Sequence, residues 1–186
     1  MSHDVMLETL GQHITALRQA RGWSLSALAI RAGIAKSNLS NLEQGRGNPT
    51  VDTLWRLAKQ LEVPFGALIA TQADMMPSVN DDGLHITLLA QGSAARPVDA
   101  YLMRCEAGAS RLAEPHTTGS EEHIMVLKGV AEVGPHDATR RLGPGETIRF
   151  TADRIHVYRA FEEEASMLVT IIYPSTASTN RQNRYS

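Results

Sequence analysis

The spacing of apolar residues changes once along this 186-residue chain, and that change divides it. Up to about residue 70, apolar positions recur at steps of three and four. Leu10, Ile14 and Leu17 form one such set, Leu25, Leu28, Ala29 and Ala32 a second, and Leu54, Leu57, Ala58 and Leu61 a third. Those steps bring side chains onto one face of a helix. From residue 84 the period falls to two, in short runs separated by Gly, Pro and Asp: 85–89, 99–105, 123–128, 130–133, 147–150, 156–161 and 167–173. Such a series predicts an all-β sandwich or barrel. Between them, TQADMMPSVNDDG is polar, contains Pro77 and has no repeat. The expected organisation is α+β in two domains: a helical domain over 1–70, a linker over 71–83 and an all-β domain over 84–174. The polar tail 175–186, which has no core residues, is expected to be disordered.

Punctuation in the first domain predicts five short helices. Gly22 follows the basic residues Arg18 and Arg21 and closes the first. Ser24 caps the second, which Gly33 ends after two turns. Ile34, Leu39 and Leu42 mark a third, stopped by Gly45–Arg46–Gly47–Asn48–Pro49. Thr50 caps a fourth, and Pro64 opens a fifth with Phe65, Leu68 and Ile69. The outward residues of the third helix are Lys36, Ser37, Asn38, Ser40, Asn41 and Gln44, all hydrogen-bonding and none acidic. A short helix with these side chains fits a DNA major groove, and Arg46 and Asn48 in the next loop could hold phosphates. Overall charge is −2, but residues 1–70 carry seven Lys/Arg against five Asp/Glu, and the remainder eleven against fifteen. Only the first domain is positive, as a nucleic-acid contact needs.

Over residues 7–70, the ALAIRAGI turn, the SNLSNLEQG helix and the NPTVDTLWRLAKQL segment resemble the five-helix DNA-binding domain of phage-repressor-type regulators, the Xre family. The resemblance implies that Lys36, Ser37 and Asn41 face bases and that Glu43 is structural. Ala35 stands where a capping Ser or Thr is common, and Leu25 where a phosphate-contacting Gln is frequent.

In the second domain, His116 and Glu122 lie six residues apart across a turn, and His156 comes from a later strand. Two imidazoles and a carboxylate, if they converged, would make an open site for a divalent metal: zinc first, with Fe(II), Mn(II) or Ni(II) as alternatives. His116 followed by Glu122-x6-Gly129, then Pro144-x-Gly145 and His156, resembles the two motifs of cupins, which are double-stranded β-helix (jelly-roll) barrels. That resemblance puts His116, Glu122 and His156 at three of four metal-ligand positions. Thr118 stands at the fourth, where a second His is usual, and Ala160 replaces a frequent Asn. PHTTGSEEH and FTADRIHVYR are similar to segments of regulators that join an Xre domain to a cupin sensor and control sulfur use and amino-acid metabolism. A sulfur-containing amino acid or related metabolite is the effector this implies.

Other residues have plainer readings. Tyr158 shares the face of His156 and lines the pocket with Thr118, or is a core aromatic. His123 and Glu121 should point away from Glu122. His136 falls in a hairpin turn, His3, His13 and His85 lie outside both motifs, and Cys105 reads as a small buried hydrophobe. With one cysteine, no basic-then-apolar leader and no apolar run long enough to cross a bilayer, the expected setting is the cytoplasm, with no membrane partner. The expected function is that of a homodimeric regulator, not an enzyme, which binds double-stranded operator DNA and a small effector. A DNA-tethered metal-dependent isomerase or dioxygenase, and a metal sensor, are the alternatives.

Overall fold

A computed structural model describes residues 3–47, 49–70, 78–81, 83–93 and 96–174. The chain divides into two compact units, residues 1–77 and 78–186. Among the described residues the first unit holds five helices: α1 (His3–Ala20), α2 (Leu25–Ala32), α3 (Lys36–Glu43), α4 (Val51–Gln60) and α5 (Phe65–Ile69). Ile14, Leu28, Leu39, Leu54, Leu57, Leu61, Phe65 and Leu68 form the core. These are the positions that the three-and-four spacing marks, so the helical period is explained by burial of one stripe per helix.

The caps fall where the polar punctuation puts them. Ser24 Oγ accepts from the Ala27 backbone N–H and Thr50 Oγ1 from that of Thr53, each satisfying a donor at a helix start. Ala35 offers α3 no side-chain cap. Gly33, in the left-handed conformation at φ 63°, turns the chain sharply between α2 and α3, and the Ile34 N–H closes the end on the Ala29 carbonyl. The C-terminal end of α3 is fixed against α1 from two sides. Arg18 grips Glu43 through Nε and Nη2 at 2.6 and 2.7 Å while its Nη1 donates to the Trp23 carbonyl. Gly11 of α1 lies so close to α3 that a Cβ there would fall 2.9 Å from the Glu43 carbonyl oxygen.

The second unit contains β1 (Ser78–Asp81), β2 (Leu84–Ser93), β3 (Arg96–Cys105), β4 (Ser110–Ala113), β5 (Glu121–Lys128), β6 (Ala131–Pro135), β7 (Arg140–Leu142), β8 (Thr147–Thr151), β9 (His156–Ala160) and β10 (Ala165–Ile172). They form a six-stranded sheet ordered β1-β2-β3-β10-β5-β8 and a four-stranded sheet ordered β4-β9-β6-β7, antiparallel throughout. The two sheets form the jelly-roll sandwich that the cupin-like motifs lead one to expect. Inward residues Tyr101, Ile124, Val126, Val133, Leu142, Met167 and Val169 fill the space between the sheets.

The expected linker 71–83 is corrected in part. Residues 78–81 are strand β1, paired with β2 in the register Ser78↔Thr87 to Asp81↔Leu84, so backbone pairing overrides their polar composition. Residues 71–77 and 82, and the expected disordered tail 175–186, lie outside the described residues. The short strands β4 and β7 are also absent from the alternation-based reading. Each spans three or four residues, too few for a period to register.

Candidate functional site

Helix α3 presents Lys36, Ser37, Asn38 and Asn41 to solvent, with Arg46 exposed in the loop beyond it. Leu39 and Leu42, on its other side, are buried and hold the helix to the bundle. Asn38, Asn41, Arg46 and Thr50 line one shallow depression. Ser40 is half-buried and accepts a bond from Gln44 Nε2 at 3.1 Å, which leaves it less available than its neighbours. Asn48 lies outside the described residues.

The second candidate site is inside the barrel. His116 follows β4, in a loop clipped to the β8–β9 turn: its N–H bonds to the Ala152 carbonyl at 2.9 Å, the Ala152 N–H to the Ser120 carbonyl at 2.8 Å, and the Gly119 N–H to Asp153 Oδ2 at 2.9 Å. Glu122 is the inward residue at the start of β5, and His156 opens β9 opposite Ala113 and Pro135. All three side chains are buried. His116 Nε2 donates to Glu122 Oε1 at 2.7 Å, and His156 Nε2 stands 3.5 Å from the same oxygen. One ligating atom from each residue lies within 4.8 Å of the others. His156 Nδ1 donates to the Arg154 carbonyl at 2.8 Å, which fixes the tautomer and turns Nε2 inward. That Nε2 is buried and makes no hydrogen bond of ordinary length. A buried lone pair so oriented, beside a second imidazole and a carboxylate, is a donor set that fits a divalent ion.

Charge follows geometry here. Burial pushes the Glu122 carboxyl up, but the imidazoles of His156 and His116 more than reverse this, and it ends well below the usual carboxylate range. Burial lowers His156, yet the Glu122 charge outweighs it and the net shift is upward. For His116 burial prevails over Glu122, and the imidazole is held below its ordinary value.

Tyr158 belongs to this cluster: its hydroxyl donates to Glu122 Oε2 at 2.6 Å, and burial with the Glu122 charge raises its pKa well above the normal range. Thr118 does not. It is exposed, because Gly119 is tied outward to Asp153 and the turn carries residues 117–119 to the surface. The expectation that Thr118 lines the pocket is therefore corrected. His123 lies on the outer side of β5 opposite Arg149, as alternation requires, and Cys105 is buried with its thiol pushed up to about 12 by desolvation.

The sequence reading missed two further inward polar sets. Asp99 is fully buried and accepts from Tyr101 Oη at 2.9 Å and Tyr173 Oη at 3.1 Å. Arg111 shares the inward side of β4 with Ala113. A charged residue at an inward position of a strand was the available signal in both cases.

Residues 14–68 match the HTH_3 family, described as helix-turn-helix. Across most of its length the chain is similar to the HTH-type transcriptional regulator SutR of Escherichia coli (strain K12): 34% identical over 167 residues, covering 88% of this chain and 94% of that one. The chain belongs to the HTH-type transcriptional regulators of the Xre type. A crystal structure of an HTH_3 family transcriptional regulator from Vibrio cholerae superimposes with a TM-score of 0.84 at 30% identity, covering 93% of this regulator and 99% of that chain. The Bacillus subtilis regulator SinR is 39% identical over 61 residues, which are 32% of this regulator and 55% of SinR. No helix among the described residues is long and apolar enough to cross a membrane.

Proposed function

We propose that this regulator binds operator DNA in a sequence-specific manner and that its barrel senses a small effector at a divalent metal ion held by His116, Glu122 and His156. The convergence of those three donors in the barrel of an Xre-type regulator is the observation that carries the reading. Zinc is the first choice, since two imidazoles and one carboxylate leave it a position open to a ligand. When bound, the metal supplies a Lewis-acidic point to which an effector can coordinate. The protein's own part is to fix both imidazoles, to keep Glu122 ionised and to hold Tyr158 against it. We read the barrel as a sensor rather than a catalyst, in a cytoplasmic homodimer whose recognition helices meet half-sites roughly 10 bp apart. A ligand alters DNA affinity only if it binds one arrangement of the DNA domains better than another.

On DNA, Lys36, Ser37 and Asn41 are the proposed base readers, with Asn38 and Ser40 flanking. Arg46 and Asn48 are the proposed phosphate contacts. Fluorescence anisotropy on a duplex from upstream of the regulator's own gene tests this assignment. Lys36→Ala and Asn41→Ala are each expected to weaken binding about tenfold at constant salt, while Arg46→Ala should act on all sequences alike and flatten the salt dependence. Undiminished affinity in both α3 variants would remove α3 from the interface.

A further inference from the structure

An antiparallel sheet with one side towards water carries polar residues on that side. The four-stranded sheet follows this rule: Arg159, on its outer face, donates to Ser110 Oγ at 3.2 Å and to Glu132 Oε2 at 2.8 Å. The six-stranded sheet does not. In β10, Ala165, Met167, Val169 and Ile171 are buried between the sheets, so Leu168 and Ile172 point outward. Leu168 pairs with Leu102 of β3 on one side and with Met125 of β5 on the other, and Ile172 pairs with Val98. Apolar side chains therefore run in rows across three adjacent strands. Met125 is 40% exposed and Leu127, beside it on β5, is 48% exposed.

An open apolar patch with a polar rim marks a place where another molecule docks. With strands about 4.8 Å apart and a rise of about 3.3 Å per residue, this face is about 29 Å across and, along β5 and β10, about 26 Å long. Its area, on the order of 700 Å², is close to the roughly 800 Å² that each partner covers in a stable complex. Charge at the rim decides how a second copy sits. Strand β5 begins with Glu121 and ends with Lys128, at opposite ends of the patch, while Lys128 and Arg104 flank Ser166 at the same end. A two-fold axis along β10 would set Lys128 against the partner's Arg104, like charge against like. An axis across the strands, midway along β5, sets Lys128 beside the partner's Glu121 twice over and brings Met125 of both copies near the axis.

We propose that the outer face of the six-stranded sheet is where a second copy of this chain docks, through Val98, Leu102, Met125, Leu127, Leu168 and Ile172, about a two-fold axis that crosses the strands. This rests on the homodimer given under Proposed function and names its interface. A contact of one patch with itself closes on two copies and leaves none free for a third.

Size-exclusion chromatography with light scattering, on the full-length protein at micromolar concentration, tests this. The wild type is expected to run as a dimer. Met125→Lys, which sets two like charges near the axis, should weaken the dimer by about a hundredfold or more and give a monomer. Leu112→Lys is the control: this residue is 55% exposed but lies on the other sheet, and the variant should remain a dimer. Lys128→Glu should weaken the dimer about tenfold, and Glu121→Lys added in the same chain should restore it. Thermal melts establish that each variant is folded. A dimer that survives Met125→Lys overturns this face but keeps the homodimer, whereas a monomeric wild type overturns both. If that monomer also melts at a lower temperature as Met125→Lys, a segment of the same chain covers the face instead. Dissociation by Leu112→Lys as well, or no recovery on adding Glu121→Lys to Lys128→Glu, would likewise overturn the assignment.

Discussion

Glu122→Gln is expected to lower the affinity of the barrel for a divalent ion by about a hundredfold or more, and to destabilise the metal-free protein by about 2 to 4 kcal/mol. Glu122 is fully buried and accepts from both His116 Nε2 and Tyr158 Oη, so all the cluster's compensation passes through its charge. Glutamine keeps the volume but removes that charge and forces a donor towards one of two groups that are themselves donors. The stability difference also has a defined pH dependence. A carboxylate whose folded pKa is depressed contributes stability above its unfolded value, here 4.5, and loses it as pH falls through the lower folded value. His156, raised, adds stability below 6.5 that fades as pH climbs through its folded value. His116, lowered by burial, has the opposite sign. The wild-type advantage over Glu122→Gln in metal-free thermal melts should therefore be large at neutral pH and shrink below about pH 4. An advantage that does not diminish in acid would mean that Glu122 acts by shape rather than by charge.

Gly11→Ala should cost about 3 kcal/mol and, at temperatures where the variant is folded, should weaken operator binding more than the cost of any single base contact. The added methyl meets backbone on α3, with the Glu43 carbonyl oxygen at 2.9 Å and the Leu42 carbonyl closer still, so no side-chain rotation relieves it. The helices must separate at the end of α3, where Arg18 grips Glu43. Gln12→Ala, next along α1 but exposed, serves as the control and should be close to neutral. Chemical denaturation of both variants, with anisotropy on the same duplex, measures the two effects. A Gly11→Ala protein as stable as wild type would show that α1 and α3 do not approach as closely as described.

Much of this was legible in the sequence because each half repeats a local rule. Leu54, Leu57, Ala58 and Leu61 announce a buried helical stripe, and Ser24, Thr50 and Gly33 mark its boundaries with side chains whose hydrogen bonds or backbone freedom are needed there. Arg18–Glu43 was not legible: the partners are 25 residues apart, and nothing local in either signals the other. In the barrel, the motif spacing named His116, Glu122 and His156, but their convergence depends on the pairing of strands distant in the chain. For the same reason the pairing of Arg111 with Asp81, 30 residues earlier, went unnoticed. Thr118 was misplaced because its match to the fourth ligand position of the cupin motif stood in for its position in space, and the turn tied at Gly119 carries it to the surface.

The most direct test of the central claim is the metal content per chain of wild type and His156→Ala, measured together by elemental analysis after purification and again after incubation with divalent ions. About one equivalent in the wild type, lost in the variant, is the predicted result. No metal in either protein under both conditions would contradict the metal centre and leave His116, Glu122 and His156 as a buried hydrogen-bonded cluster.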